Sequence, residues 1–222
     1  MGIGEFAKQS VSELRRSHWL LFGLLFLLFL GGTNALLALH QPHAGEKVDP
    51  VFIAAGIVRV VALVVFSVAA LRTSTASPRG RWTPDCAFWL YFGLTLLALI
   101  APAIGGVLAL RLPEIVRILV SETLGILLVL PLTVWTVAAA VERPLALAPR
   151  FQQMGRWLPP LLVLALLLVL PLAILHAWDS LKMLLIVGHE GFWPLALLDA
   201  VVSTALVLVS LALKLTAYRS VA

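Results

Sequence analysis

Six unbroken apolar runs, at residues 19–39, 51–71, 87–110, 115–141, 157–178 and 192–217, constrain this chain more than any other feature of it. A helix needs about 20 apolar residues to cross the hydrocarbon core, and each run reaches that length. In lipid every backbone N–H and C=O must be satisfied within the chain, so only helices or a closed barrel serve. A barrel would alternate apolar and polar residues in segments of about ten, whereas these runs are continuously apolar and rich in Leu and Ala. The expected fold is all-α: one membrane domain over residues 1–222, an integral bundle of six transmembrane helices. Composition closes the soluble alternative. The chain is 61% hydrophobic and 12% charged, with a mean hydropathy of +1.04, against about 45–50% apolar and about 25% charged in soluble domains.

The basic residues give a direction. Lys8, Arg15 and Arg16 precede the first run, Arg72, Arg79 and Arg81 lie in the second loop, Arg143, Arg150 and Arg156 in the fourth, and Lys214 and Arg219 close the chain. These alternate connections share one side of the membrane. Only Lys47, Arg111, Arg117 and Lys182 fall on the other, and Arg59 lies inside the second run. The positive-inside rule therefore predicts that the N-terminus and C-terminus are both cytoplasmic. Trp19, Trp89 and Trp157 open the outward-going helices, and Trp178 and Trp193 flank the last outer loop. Indole suits both interfaces because its ring is apolar and its N–H polar. Basic residues before an apolar run also resemble a signal peptide. The first run reaches spanning length with no small-x-small site after it, so a retained helix is expected. An isoelectric point near 10 does not indicate nucleic acid, because the basic residues are dispersed among short loops.

Several residues mark helix ends and breaks. Thr83-Pro84-Asp85 offers a capping side chain and a proline ahead of the third helix. Pro102, Gly105 and Gly106 are expected to loosen that helix near its outer end. Pro131 and Pro171 sit mid-run in two Leu-Val-Leu-Pro-Leu echoes, each freeing a carbonyl and predicting a kink.

Charge within hydrocarbon costs about 2.5–3.5 kcal/mol per residue even on the mildest scale. Arg59, Glu122 and Asp199 carry that cost on the second, fourth and sixth helices, at similar depth below the outer boundary. The spacing predicts a buried Arg59–Glu122/Asp199 cluster, with Arg117 one turn above Glu122 to balance the charge. Two uses suit such a cluster: a proton, ion or anion site, or a structural clamp between helices. His40, His43, His176 and His189 fall at or beyond the outer boundary, with Asp179 and Glu190 nearby. Solvated interfacial histidines are expected, and an external Zn or Cu site is the alternative. Haem would need paired histidines deep inside facing helices, which these positions do not offer. P-loop, Rossmann, HExxH and GxSxG patterns are absent, so neither a catalytic residue nor a cofactor is assigned. Cys86 is the one cysteine; it excludes an intramolecular disulfide and reads as a packing residue.

One family has this order of features. Val141-Glu142-Arg143 leads to Leu145-Ala146-Leu147-Ala148, and the basic stretch from Arg150 to Arg156 enters a Leu-rich helix. The last helix opens Phe192-Trp193-Pro194-Leu195-Ala196-Leu197-Leu198-Asp199 and closes Ala217-Tyr218-Arg219, while Leu14-Arg15-Arg16-Ser17-His18-Trp19 begins the chain. Together they resemble the six-helix membrane domain of bacterial glycerophosphoryl diester phosphodiesterases and their stand-alone relatives. The resemblance implies a non-enzymatic α-helical module of the bacterial cytoplasmic (inner) membrane and transfers no site residue. The leading functional reading is a membrane module or scaffold for another membrane protein. The alternatives are a small transporter or channel component using the polar cluster, and an external metal-handling protein.

Overall fold

The computed structural model describes residues 1–42, 47–141 and 152–221. His43, Glu142, Arg143 and Arg150, named above, lie outside them. Among the described residues the chain forms helices and no strand. They are α1 (Ile3–Leu14), α2 (His18–Leu39), α3 (Pro50–Ser74), α4 (Cys86–Leu108), α5 (Glu114–Val141), α6 (Met154–Leu185) and α7 (Phe192–Arg219). The last six are long and apolar enough to cross a membrane, so the expected six-helix architecture holds. Their outer surfaces carry exposed apolar side chains such as Leu20, Leu28, Val107 and Leu167, as lipid-facing walls require.

The sequence reading does not anticipate α1. Phe6, Ser10 and Glu13 share one helical face, and that face is buried, while Glu5, Lys8, Gln9 and Ser12 are exposed. Phe6 joins the main core with Trp157 and Leu215. The Ser10 hydroxyl donates to Thr216 Oγ1 at 3.0 Å, and Arg219 donates to Glu13. The first helix is thereby joined to the last, and both chain ends lie at one end of the bundle. Arg219 also donates to the Ser74 carbonyl at 2.6 Å, which puts the last turn of α3 at that end too.

Both mid-run prolines fall at breaks in helical regularity. Around Pro131, α5 tightens into a 3-10 turn at Leu130–Leu132. Ahead of Pro171, α6 widens into a π turn at Ala165–Val169. Proline has no N–H for the carbonyl four residues back, so Leu127 and Leu167 lose their usual acceptor role.

Pro102 behaves differently. The helix α4 runs through it unbroken, and the segment expected to loosen that helix is instead a close contact with α5. Gly105 lies on the backbone of Ser121, where an added Cβ would come within 2.9 Å of Cα. Gly125 receives the Pro102 ring, with 2.6 Å between a built Cβ and Cγ. The Ser121 hydroxyl donates to the Pro102 carbonyl. Glycines allow this approach because lipid supplies no hydrophobic drive between helices, so close packing must. Gly31 of α2 meets Ala200 of α7 in the same way.

Finally, α6 continues to Leu185, seven residues beyond the expected end at 178. The added turns carry Asp179 inside the helix, where it is buried.

Candidate functional site

Two polar networks fasten the bundle, one toward each end. The first is built on Asp199, in the second turn of α7, whose side chain is 0% exposed. Its Oδ2 accepts from Asn34 Nδ2 on α2 at 2.7 Å, and its Oδ1 contacts His176 Nδ1 on α6 at 2.6 Å. The other ring nitrogen of His176 lies 3.1 Å from an Arg59 Nη on α3. A guanidinium has donors only, so Nε2 must accept, and Nδ1 then carries the proton and donates to Asp199. That assigns a neutral imidazole between a cation and an anion, and ties four helices together.

Arg59 and Asp199, both singled out by sequence, thus enter one network through His176. His176 is only 18% exposed at its side chain, so the expectation of a solvated interfacial histidine is corrected. Its depth was misjudged because α6 runs two turns further than the apolar run suggests. Asn34, a lone carboxamide in the first run, was the available signal for the fourth member. Glu122 and Arg117 make no hydrogen bond or ion pair among the described residues. Glu122 lines a cavity of about 250 Å³ between α4, α5, α6 and α7. Asp179, one turn after His176, is also buried, and its Oδ2 has no hydrogen-bond partner among the described residues.

The second network lies at the terminus-bearing end. Sequence places Arg72 in a loop, but it sits in the last turn of α3 with its side chain 0% exposed. It donates to the carbonyls of Ala140 at 2.9 Å and of Gly80 and Thr83 at 2.8 Å, and to Asp85 at 2.7 Å. Arg79 donates to the other Asp85 oxygen at 2.6 Å. Asp85 caps α4 by accepting from the Phe88 N–H at 3.0 Å. Burial raises the Asp85 pKa, but the Phe88 N–H and the two guanidiniums outweigh it and hold the carboxyl at about 2. Arg72 and Arg79, with the Ser77 hydroxyl donating to the Val141 carbonyl at 3.1 Å, staple the second loop to the helix ends.

Of the other outer histidines, the two that the structure describes are engaged or exposed. His40 Nδ1 lies 2.6 Å from Asp49, which also accepts from Val51 N–H to cap α3. Those two contacts hold the Asp49 carboxyl below its usual pKa, the backbone bond first. His189 is exposed. Among the described residues, no group of three or more His, Cys, Asp or Glu is arranged to hold a metal ion.

Comparison with models of protein families, with curated proteins and with solved structures finds no match to the chain.

Proposed function

We propose that this chain is a non-enzymatic membrane module, a scaffold in the bacterial cytoplasmic membrane that serves another membrane protein. One observation carries the reading. Asp199 is fully buried, both its oxygens are engaged by side chains of other helices, and its charge is matched by Arg59 through His176. A transport or relay site must open to water or substrate, whereas a clamp needs no access. Neither of the two cavities that Ser210 and Lys214 line is lined by Arg59, His176 or Asp199. The resemblance to the membrane domains of glycerophosphoryl diester phosphodiesterases supports a module whose chemistry, where there is any, belongs to a partner. The distribution of Lys and Arg supports cytoplasmic ends.

The test has two arms. Purification in mild detergent is expected to recover a membrane protein in fixed ratio. Asp199→Asn is expected to lower the thermal midpoint while leaving capture of that partner intact at low temperature. Proton or solute flux in reconstituted vesicles, lost in Asp199→Asn without any fall in the midpoint, would overturn the scaffold in favour of a transporter.

A further inference from the structure

Packing along α7 is uneven. Val202, Ser203 and Thr204 are buried, as are Leu211, Ala212 and Leu213, yet residues 205–210 are partly exposed on every face. Two cavities lie against Leu206, Val207 and Ser210 of this stretch. One, of about 250 Å³, is walled by apolar side chains including Ala98, Leu161, Ala165 and Val169, at the level of the 3-10 and π turns. The other, of about 160 Å³, is lined by Ser67, Tyr91, Thr95 and Thr136 among apolar residues. The two share Ser210 and Lys214.

Lys214 is the anomaly. It lies within a transmembrane helix, flanked in sequence by buried Leu213 and Leu215, and makes no hydrogen bond or ion pair among the described residues. Ser210, one turn before it on the same face, makes none either. A helical lysine leans toward the N-terminal end of its helix, which here directs the ammonium toward Ser210 and both cavities. An unpaired ammonium against apolar walls calls for a counter-charge, and Glu122, at the other end of the larger cavity, is too far to supply one directly: it is within electrostatic reach of His176, which contacts Asp199, and Asp199 stands fifteen residues before Lys214 on α7, roughly 22 Å. The site is thus an apolar slot with a cation that has no counter-charge among the described residues at one end and a carboxylate at the other.

We propose that the slot binds a single-chain anionic amphiphile of the long-chain carboxylate class, its head on Lys214 and Ser210 and its chain along the larger cavity. The ammonium and a hydroxyl supply donors to a carboxylate. The Ala, Leu and Val walls receive the hydrocarbon, and Glu122 repels the head from the opposite end, which fixes the orientation. Each cavity falls below about 300 Å³, the small end of ligand-binding pockets, so the occupant has one chain rather than two. The inference is independent of the scaffold reading, because neither Lys214 nor Ser210 belongs to the clamp.

The experiment is a binding titration of the full chain, held in amphipol, with the fluorescent carboxylate parinaric acid. Oleate is expected to displace it, and acetate and inorganic phosphate are not. Lys214→Met should weaken binding by about tenfold or more, the loss of one charge-assisted contact, and Lys214→Arg should restore it. Lys214→Met removes a charge that has no partner among the described residues, so its thermal midpoint should not fall, which separates lost binding from unfolding. Val129→Trp, which fills the slot and leaves the lysine in place, should also abolish binding. The proposal is overturned if oleate displaces nothing from the wild-type protein, if Lys214→Met binds as tightly as wild type, or if inorganic phosphate competes as well as oleate.

Discussion

His176 accepts at one ring nitrogen and donates at the other, so it holds a guanidinium and a carboxylate that do not touch. Removing it leaves both charges short of a partner inside the bundle. His176→Ala is therefore expected to destabilise by about 3–5 kcal/mol, the range for breaking a buried pair. Unfolding in mixed micelles of increasing denaturing detergent measures it. Combining the change with Asp199→Asn should cost less than the two singles together, because both remove the same contact. Asp85 makes a different prediction, in pH. Its folded pKa of about 2 lies below the usual 3.8, so it contributes stability above the unfolded pKa and loses it as pH falls through the folded one. That contribution is on the order of 2 kcal/mol. The midpoint gap between wild type and Asp85→Asn should be full at neutral pH and close as pH falls from about 4 toward about 2. Charged residues inside apolar runs were legible at this scale, since Arg59 and Asp199 have no innocent place in lipid. Arg72 was not, because a linear count cannot tell a solvated loop arginine from one buried against four acceptors.

Among the elements, the α4–α5 contact depends on what Gly105 and Gly125 lack. Gly105→Ala and Gly125→Ala would press a methyl into the Ser121 backbone and the Pro102 ring, neither of which can rotate away. Each is expected to cost about 1–3 kcal/mol by overpacking, read as a lower thermal midpoint in detergent. Gly93→Ala on the same helix meets nothing within 4 Å and serves as the control. The six spanning helices were legible because burial in lipid is encoded in one dimension, as length and hydropathy. The prolines likewise marked where α5 and α6 leave regular geometry. The helix α1 was not legible, because its inward positions hold Phe6, Ser10 and Glu13. Two of the three are polar and find partners only on α7, so no apolar period announces them.

For the molecule as a whole, orientation in the membrane is the open variable, and the single cysteine gives a means of reading it. Cys86 is exposed, at the start of α4 beside the capping Asp85, at the end that carries both termini. With those ends cytoplasmic, a membrane-permeant maleimide should label Cys86 in intact cells, and an impermeant one should label it only after lysis. Labelling from outside would invert the topology. The same end holds a feature with consequences for how the protein is made. Ser10 and Thr216 are separated by 206 positions in sequence, so α1 has no partner for its polar face until α7 has been made. Until then α1 exposes Phe6, Ser10 and Glu13 to solvent or headgroups. Its docking therefore depends on the arrival of α7, and a nascent chain that stalls before that helix carries an undocked, protease-accessible α1 by which cellular quality control can recognise it.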